Sequence, residues 1–425
     1  MKKIILSLIR FFYRCGPKQI VLMVNNHIIK KNMTNCIKKT RKKIEKGKKV
    51  NVVFIVQFPE MWNSLSSVYE AIKKDNAFNV FVVAFPKRGS DASFSFEEKN
   101  DAFNFCKQKG IDAVDGFENK KIFLLKTFQP DYVFVQRPYD PFLPKKYSLK
   151  NISKKSLICY IPYSGRMTKG IHLSIEFDRI VKYFYILFAD CSDAKAYVMD
   201  KIKNNSYRKI QKVYDVGFPR FDLINKKQND GNVIKKVLWM PRWSTSSSNN
   251  RSYFYDYLET IISAFSVHCD LNLIIRPHPL MFSNFIKTGF KTKEDIDKLM
   301  LRINCIPNIS FDNNANYLDT FDNVDLLLSD ATSLLLEFFF TNKPVILFDN
   351  IEPLTDDCSK IVSTFYRCNN PKHFIDIFER LLRGDDSKKE KREKTIEDLY
   401  PSDGSVSNKI VAIIKNDLEN RGAKL

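Results

Sequence analysis

Between Asn323 and Asp349 the chain reads NVDLLLSDATSLLLEFFFTNKPVILFD, and few folds accommodate that order of residues. An apolar run, Val324–Leu328, is long enough for one buried strand. After a polar break come an apolar helical segment, Thr332–Thr341, and a second apolar run, Pro344–Phe348. Strands that are apolar on both faces belong inside parallel sheets, and parallel neighbours need a crossover between them. The stretch therefore predicts a βαβ unit. Ser329 or Asp330 sits where an N-cap belongs, its side-chain oxygen facing the first N–H groups of the helix. Those N–H groups and the hydroxyls of Thr332 and Ser333 then face the space beyond the strand's C-terminal end, which suits a diphosphate. Glu337, one turn after Ser333, is placed to hold ribose hydroxyls. An ordinary capped crossover helix that binds nothing has the same pattern.

The same strand-to-loop logic singles out Leu271–Pro279, LNLIIRPHP. An apolar strand runs straight into Arg276-Pro277-His278-Pro279, so the polar residues fall at its C-terminal end, where open α/β sheets bind ligands. The prolines hold Arg276 and His278 extended. An arginine offers a fork for phosphate oxygens and a histidine can hold or pass a proton. A rigid structural turn is the competing explanation.

Strand-like runs recur at Val50–Gln57, Val80–Phe85, Tyr132–Gln136, Leu157–Ile161, Val213–Val216 and Val237–Met240. Helical periodicity separates them at Trp62–Lys74, Glu97–Gly110 (Phe103 and Cys106 inward), Ala189–Lys201 and Phe254–Phe265. Such alternation predicts an α/β fold of doubly wound, Rossmann-like domains. A length of 425 residues allows two or three of them. The polar run Asn225–Asn232 is the candidate interdomain linker. The expected division is a basic arm (1–49), a first domain (50–225), a second domain (226–395) and a last helix (396–425). Residues 383–395 are charged and expected at the surface.

Charge is concentrated at one end. The chain carries a formal net charge of +21, and residues 1–49 hold 15 Lys/Arg against the single acid Glu45. Such a block points to a polyanionic surface. Lipid fits better than nucleic acid, because Ile4, Ile5, Leu6, Leu8, Ile9, Phe11 and Phe12 form an apolar run among basic residues. That run is too short to span a bilayer but suits an interfacial helix on an anionic membrane. A basic helix packed on the first domain is the alternative. The 9 cysteines form no C-x-x-C pair, which argues against a zinc site or disulfide framework and fits a reducing cytoplasm. No acidic cluster with metal spacing stands out.

Asp330-Ala331-Thr332-Ser333, Glu337 and Lys343-Pro344 resemble the Asp-Tyr-Ser-Ser…Asp…Lys-Pro signature of the CDP-glycerol glycerophosphotransferase family, enzymes of teichoic-acid-type polymers. Arg276-Pro277-His278-Pro279 matches that family more closely still. Gly217-Phe218-Pro219-Arg220 with Asp222 is similar to its Gly-x-Pro-Arg-x-Asp, and Pro241-Arg242-Trp243 resembles its Pro-Thr-Trp-Arg. Asp403-Gly404 followed by Ser407 resembles the stretch before the family's last helix. The resemblance is close over about 213–415 and loose over about 50–212. It implies a GT-B fold, two Rossmann-like domains facing a cleft, with Gly217, Arg220 and Arg242 joining the donor-binding residues and the last helix returning to the first domain. It also implies no cofactor and no catalytic metal. The family's first-domain His-Gly, a base for the acceptor hydroxyl, corresponds here to Tyr160-Ile161-Pro162-Tyr163-Ser164-Gly165, so Tyr163 or Ser164 stands in its place and His172 is a substitute candidate. Asp131-Tyr132, Arg137-Pro138-Tyr139-Asp140 and Asp178 are further candidates to line the cleft.

The expected reaction is transfer of glycerol phosphate, or a related polyol phosphate, from a CDP-activated donor to a cell-surface polymer or lipid-linked acceptor, with release of CMP. Its expected place is the cytoplasmic face of the cell membrane, held peripherally by residues 1–49. A nucleotide-sugar glycosyltransferase of the same fold is the alternative enzyme. A nucleic-acid-binding protein is the non-enzymatic one, although no nucleic-acid motif is present.

Overall fold

The computed structural model describes residues 17–88, 96–97, 99–137, 142–168, 175–203, 205, 207–224, 233–245, 251–312, 316–348, 353–400 and 405–419. It forms two compact units: Met1–Tyr163 with His172–Pro219 and Ser405–Leu425, and Ser164–Ile171 with Arg220–Gly404. The division thus falls at Pro219/Arg220 rather than in the run 225–232, which lies outside the described residues.

Unit 1 is built on strands β1 (Val50–Val56), β2 (Phe78–Ala84), β3 (Ala113–Asp115), β4 (Tyr132–Val135), β5 (Leu157–Tyr160), β6 (Phe184–Ala189) and β7 (Lys212–Asp215). They pair in parallel in the order β3-β2-β1-β4-β5-β6-β7. Unit 2 carries β8 (Lys236–Met240), β9 (Asn272–Ile275), β10 (Ile309–Phe311), β11 (Leu326–Ser329), β12 (Val345–Leu347) and β13 (Tyr366–Arg367). Its parallel order is β10-β9-β8-β11-β12-β13. The doubly wound pattern expected from the sequence is present in both units. In each, the order reverses beside the first strand, so β1/β4 and β8/β11 are the switch points outside whose carboxyl ends ligands settle.

Burial explains why these runs are strands. β4, β5, β6 and β11 are buried at every residue, as expected where helices cover both faces of a parallel sheet. β6 escaped the sequence reading because it continues, with no Gly or Pro, from the helix Ile175–Ile180 and the turn Val181–Tyr183. β3, β10 and β13 have only two or three residues each, too few to show a period. The segment 62–74 divides into a 3-10 turn, Pro59–Ser64, and an α-helix, Ser66–Lys74. The helix expected at Glu97–Gly110 is shorter, Asp101–Gln108, with Ala102 and Cys106 buried and Phe103 half-buried.

The N-terminal arm is not separable at Val50. A helix runs from Pro17 to Glu45, and Ile29, Met33, Cys36, Ile37 and Thr40 are buried along one face. Ile29 and Met33 pack with Tyr207 of unit 1. Lys43 Nζ pairs at 2.6 Å with the buried carboxylate of Asp131, which also accepts from the Asn51 N–H at 2.8 Å. Asp131 therefore lies at the N-terminal end of β4 and does not line the ligand edge. Asp178 is likewise elsewhere, in a helix and paired with Lys201 at 2.8 Å.

The last helix, Val406–Glu419, packs in unit 1 against Ser66–Lys74. Its buried Asp417 accepts from Tyr132 and Tyr185 hydroxyls at 2.7 Å each and pairs with Lys212 at 2.6 Å. Gly217 has φ +87°, and a Cβ there would meet Val406 Cγ2 at 3.3 Å. Its positive φ is a conformation that glycine adopts without strain. In unit 2 the charged stretch 383–395 is not wholly exposed: Arg392 is fully buried, holding Asp386 at 2.6 Å and the Asn342 carbonyl at 3.1 Å.

Candidate active site

Three adjacent strands of unit 2, β9, β8 and β11, deliver their C-terminal loops to one edge. The loops are tied to one another by backbone bonds. Arg276 N–H donates to the Trp239 carbonyl at 2.8 Å and His278 N–H to the Pro241 carbonyl at 3.1 Å. Asp330, fully buried after β11, accepts from the Arg242 N–H at 2.7 Å, the Tyr253 N–H at 3.3 Å and the Ser252 hydroxyl at 3.5 Å. Arg242 returns a side-chain bond to the Ala331 carbonyl at 2.9 Å. Arg242, Arg276 and His278 thus share one rigid edge.

Arg276 and His278 are each held in a definite state. Arg276 pairs with Asp312 at 2.7 Å, and Asp312 is itself fixed by the Thr320 hydroxyl at 2.6 Å. The Tyr317 ring lies 6.0 Å from the guanidinium carbon. His278 Nδ1 accepts from the Leu280 N–H at 3.1 Å, which places the proton of the neutral ring on Nε2. Burial, and then the nearby Arg242 cation, hold the His278 imidazolium below its ordinary value of 6.5. At neutral pH His278 is therefore an uncharged ring whose Nε2–H is a donor, suited to a phosphate oxygen or a departing group and not to proton abstraction. Trp243 lies beside it, ring centroids 6.1 Å apart, with its carbonyl held by Asn284 at 3.0 Å.

Several sequence expectations change here. The crossover helix is Leu334–Phe339, six residues, with Ser333 in helical conformation at its N-cap and no side-chain cap bond. Ser329 belongs to β11, fully buried, its hydroxyl donating to the Asp330 and Met240 carbonyls at 2.8 and 3.2 Å. Neither Ser329 nor Asp330 caps the helix or faces a ligand; they brace the loops. So short a helix also supplies little of the dipole expected for a diphosphate. Thr332 and Ser333 are half-buried on the loop before it, and Thr332 Oγ1 has no hydrogen-bond partner among the described residues.

Glu337 does not reach a ribose. It is almost wholly buried, paired with Arg220 at 3.0 Å and accepting from the Tyr317 hydroxyl. Burial pushes its carboxyl up from the ordinary range, against the pull of Arg220. Arg220, buried as well, also donates to Tyr317 at 3.2 Å. These two motif residues thus form a scaffold beneath Tyr317, which in turn lies beneath Arg276. Lys343 has a kindred role: its Nζ caps the helix Tyr317–Asn323 by donating to the Phe321 and Asp322 carbonyls at 2.7 and 3.1 Å. The sequence reading missed Asp312 and Tyr317. Asp312 follows a strand of only three residues, and Tyr317 starts a helix of seven with no distinctive spacing.

In unit 1, Tyr163 is half-buried in the loop after β5. His172, Tyr139 and Asp140 lie outside the described residues.

A family model described as CDP-glycerol:poly(glycerophosphate) glycerophosphotransferase matches residues 189–416, more than half of the chain. The chain belongs to this family. That span holds Arg242, Arg276, His278 and their scaffold. Among solved structures, the wall teichoic acid polymerase TagF soaked with CDPG is similar over 92% of this chain and 98% of its own, at 12% identity and a TM-score of 0.51. The UDP-GlcNAc 2-epimerase of Neisseria meningitidis bound to UDP-GlcNAc is similar over 86% and 100%, at 14% identity and a TM-score of 0.57. The Methanocaldococcus jannaschii UDP-GlcNAc 2-epimerase gives 86% and 100%, 14% and 0.54. At these identities the likeness establishes the GT-B fold. No curated protein matches the chain. The chain is a glycerophosphotransferase of GT-B fold.

Proposed function

We propose that the chain moves glycerol phosphate from CDP-glycerol to a hydroxyl of a glycerol-phosphate polymer or a lipid-linked primer, with the donor on unit 2 and the acceptor on unit 1. The acceptor oxygen forms a bond to the phosphorus remote from cytidine. The bond from that phosphorus to the bridging oxygen breaks, CMP leaves, and the hydroxyl proton passes to a base.

The observation that carries this reading is the shared edge of Arg242, Arg276 and the neutral His278. Two guanidinium groups offset the charge of a diphosphate. The His278 Nε2–H adds a directed donor where charge builds on the leaving phosphate, the place where such preorganised groups accelerate phosphoryl transfer most. The half-buried Thr332 and Ser333 hydroxyls are further donors on the same loops. His278, with its proton on Nε2, does not serve as the base, which leaves that role to unit 1, where Tyr163 and His172 are candidates.

The paired test uses His278→Ala and Arg276→Ala. His278→Ala lowers CMP release by a factor on the order of 10²–10⁴ with CDP affinity little changed. Arg276→Ala weakens CDP binding by about 1.5–3 kcal/mol, the range for charge-assisted hydrogen bonds. Near-normal turnover in a folded His278→Ala protein removes His278 from the chemistry.

The same reading includes attachment to the cytoplasmic face of the cell membrane. Support comes from the basic N-terminal sequence and from Met23, Val24 and Ile28, which are exposed on the helix Pro17–Glu45 alongside Lys30 and Lys31. Among the described residues no helix is long and apolar enough to cross a membrane.

A further inference from the structure

Unit 1 has its own switch point, between β1 and β4, and two buried amides organise it. Gln136, next after β4, accepts at Oε1 from the N–H groups of Gln57 and Phe58, at 2.9 and 2.7 Å, and donates from Nε2 to the Phe58 carbonyl at 2.6 Å. Gln57, next after β1, donates from Nε2 to the carbonyls of Pro86 at 2.9 Å and Phe142 at 2.6 Å. Each is 3% exposed. Polar side chains buried this way, with their bonds satisfied, rigidify what they hold. Here they hold the loops that leave β1, β2 and β4.

Those loops present cations. The guanidinium carbon of Arg137 lies 4.7 Å from the Phe58 ring centroid and 4.2 Å from that of Phe142. Lys87 Nζ sits 5.9 Å from the same Phe58 ring and pairs with Glu60 at 3.2 Å. Arg88 follows, donating to the Leu143 carbonyl at 3.3 Å and stacking 5.3 Å from Phe96. A guanidinium clasped between rings loses little freedom when it binds an anion, and its planar fork suits two phosphate oxygens. Each ring gives a face to the guanidinium, so the arrangement favours an anion over a nucleobase.

We propose that Arg137, clasped by Phe58 and Phe142 and flanked by Lys87 and Arg88, is the subsite where unit 1 holds a phosphodiester of the acceptor polymer. The inference rests on the proposed transfer to a glycerol-phosphate acceptor, whose repeat carries one phosphodiester anion, and adds the residues that grip it. A positively charged ligand edge at the switch point concentrates such a polyanion before any hydroxyl is positioned.

The test measures CMP release by the full chain with CDP-glycerol and a synthetic glycerol-phosphate oligomer. Calorimetric binding of the oligomer to the same samples accompanies it. Arg137→Ala raises KM for the oligomer on the order of 10- to 100-fold and weakens its binding equally, while KM for CDP-glycerol moves by less than about twofold. Arg137→Lys restores part of the loss, since charge returns without the planar fork. Lys201→Ala, which removes an exposed charge from the surface of the same unit, changes neither KM. Acceptor KM that stays unchanged in a folded Arg137→Ala protein overturns the proposal, and so does a rise in donor KM instead, which assigns the subsite to the donor diphosphate. If Arg137→Ala melts early, the Lys87→Ala/Arg88→Ala double variant carries the test, with the same acceptor-specific loss expected and its absence contradictory. A wild-type chain that neither releases CMP nor binds the oligomer refutes the underlying transfer reading. Wild-type turnover with an unaffected Arg137 variant refutes the subsite alone.

Discussion

Glu337 shows how far a single residue's place can depart from what its spacing suggests. Helical spacing put it on the ligand face, yet the crossover helix begins two residues later than expected and turns Glu337 into the core, onto Arg220 and Tyr317. Removing one partner of a buried pair leaves an uncompensated charge, at a cost of about 3–5 kcal/mol. Glu337→Gln is therefore expected to lower the melting temperature of unit 2 clearly. A normal melt with lost CDP binding would return Glu337 to the ligand. Arg276 and His278, by contrast, were legible because prolines punctuate the end of an apolar strand. Asp312, which fixes Arg276, was not, since no spacing links it to its partner. His278 also makes a prediction for pH. Its folded pKa lies below 6.5 through burial and the Arg242 charge, so on acidification the unfolded chain takes up the proton first. The stability tied to the neutral ring is full above about pH 6.5 and falls as pH drops below that value. Melting curves of the wild type should lose more on the acid side than those of His278→Gln; parallel curves would show that His278 titrates normally.

Among the elements, the helix Pro17–Glu45 follows the alternative weighed from the sequence, a basic helix packed on the first domain. Its lysines dominate the sequence and suggest a solvated arm, but Ile29, Met33, Cys36, Ile37 and Thr40 recur at helical spacing between them and are buried. The stripe was present in the sequence and was masked by charge. Two truncations separate the roles. Deleting residues 1–16 removes Lys2, Lys3, Arg10, Arg14 and the apolar run between them, so it should weaken retention on anionic vesicles without lowering the melting temperature. Deleting residues 1–48 also strips the buried stripe and leaves Asp131 without Lys43, and unit 1 should then melt earlier or fail to fold. Full vesicle retention after the shorter deletion would place the membrane contact elsewhere. An unchanged melt after the longer one would contradict the packing of the helix.

At the scale of the whole chain, two parallel sheets repeat one strand order, and that repetition was legible because long apolar strands alternate with helices. What the pattern did not reveal were the short edge strands and the true division at Pro219/Arg220, where no run of Gly, Ser or charge marks the boundary. The GT-B fold alone serves sugar-nucleotide epimerases as readily as polymer synthesis, so chemistry must decide between attack at phosphorus and attack at carbon. The most direct measurement is a product balance with the wild-type chain, CDP-glycerol and a glycerol-phosphate oligomer. Each CMP released should match one glycerol phosphate added to the oligomer. Release of CDP in place of CMP, or CMP without growth of the oligomer, would contradict glycerophosphate transfer.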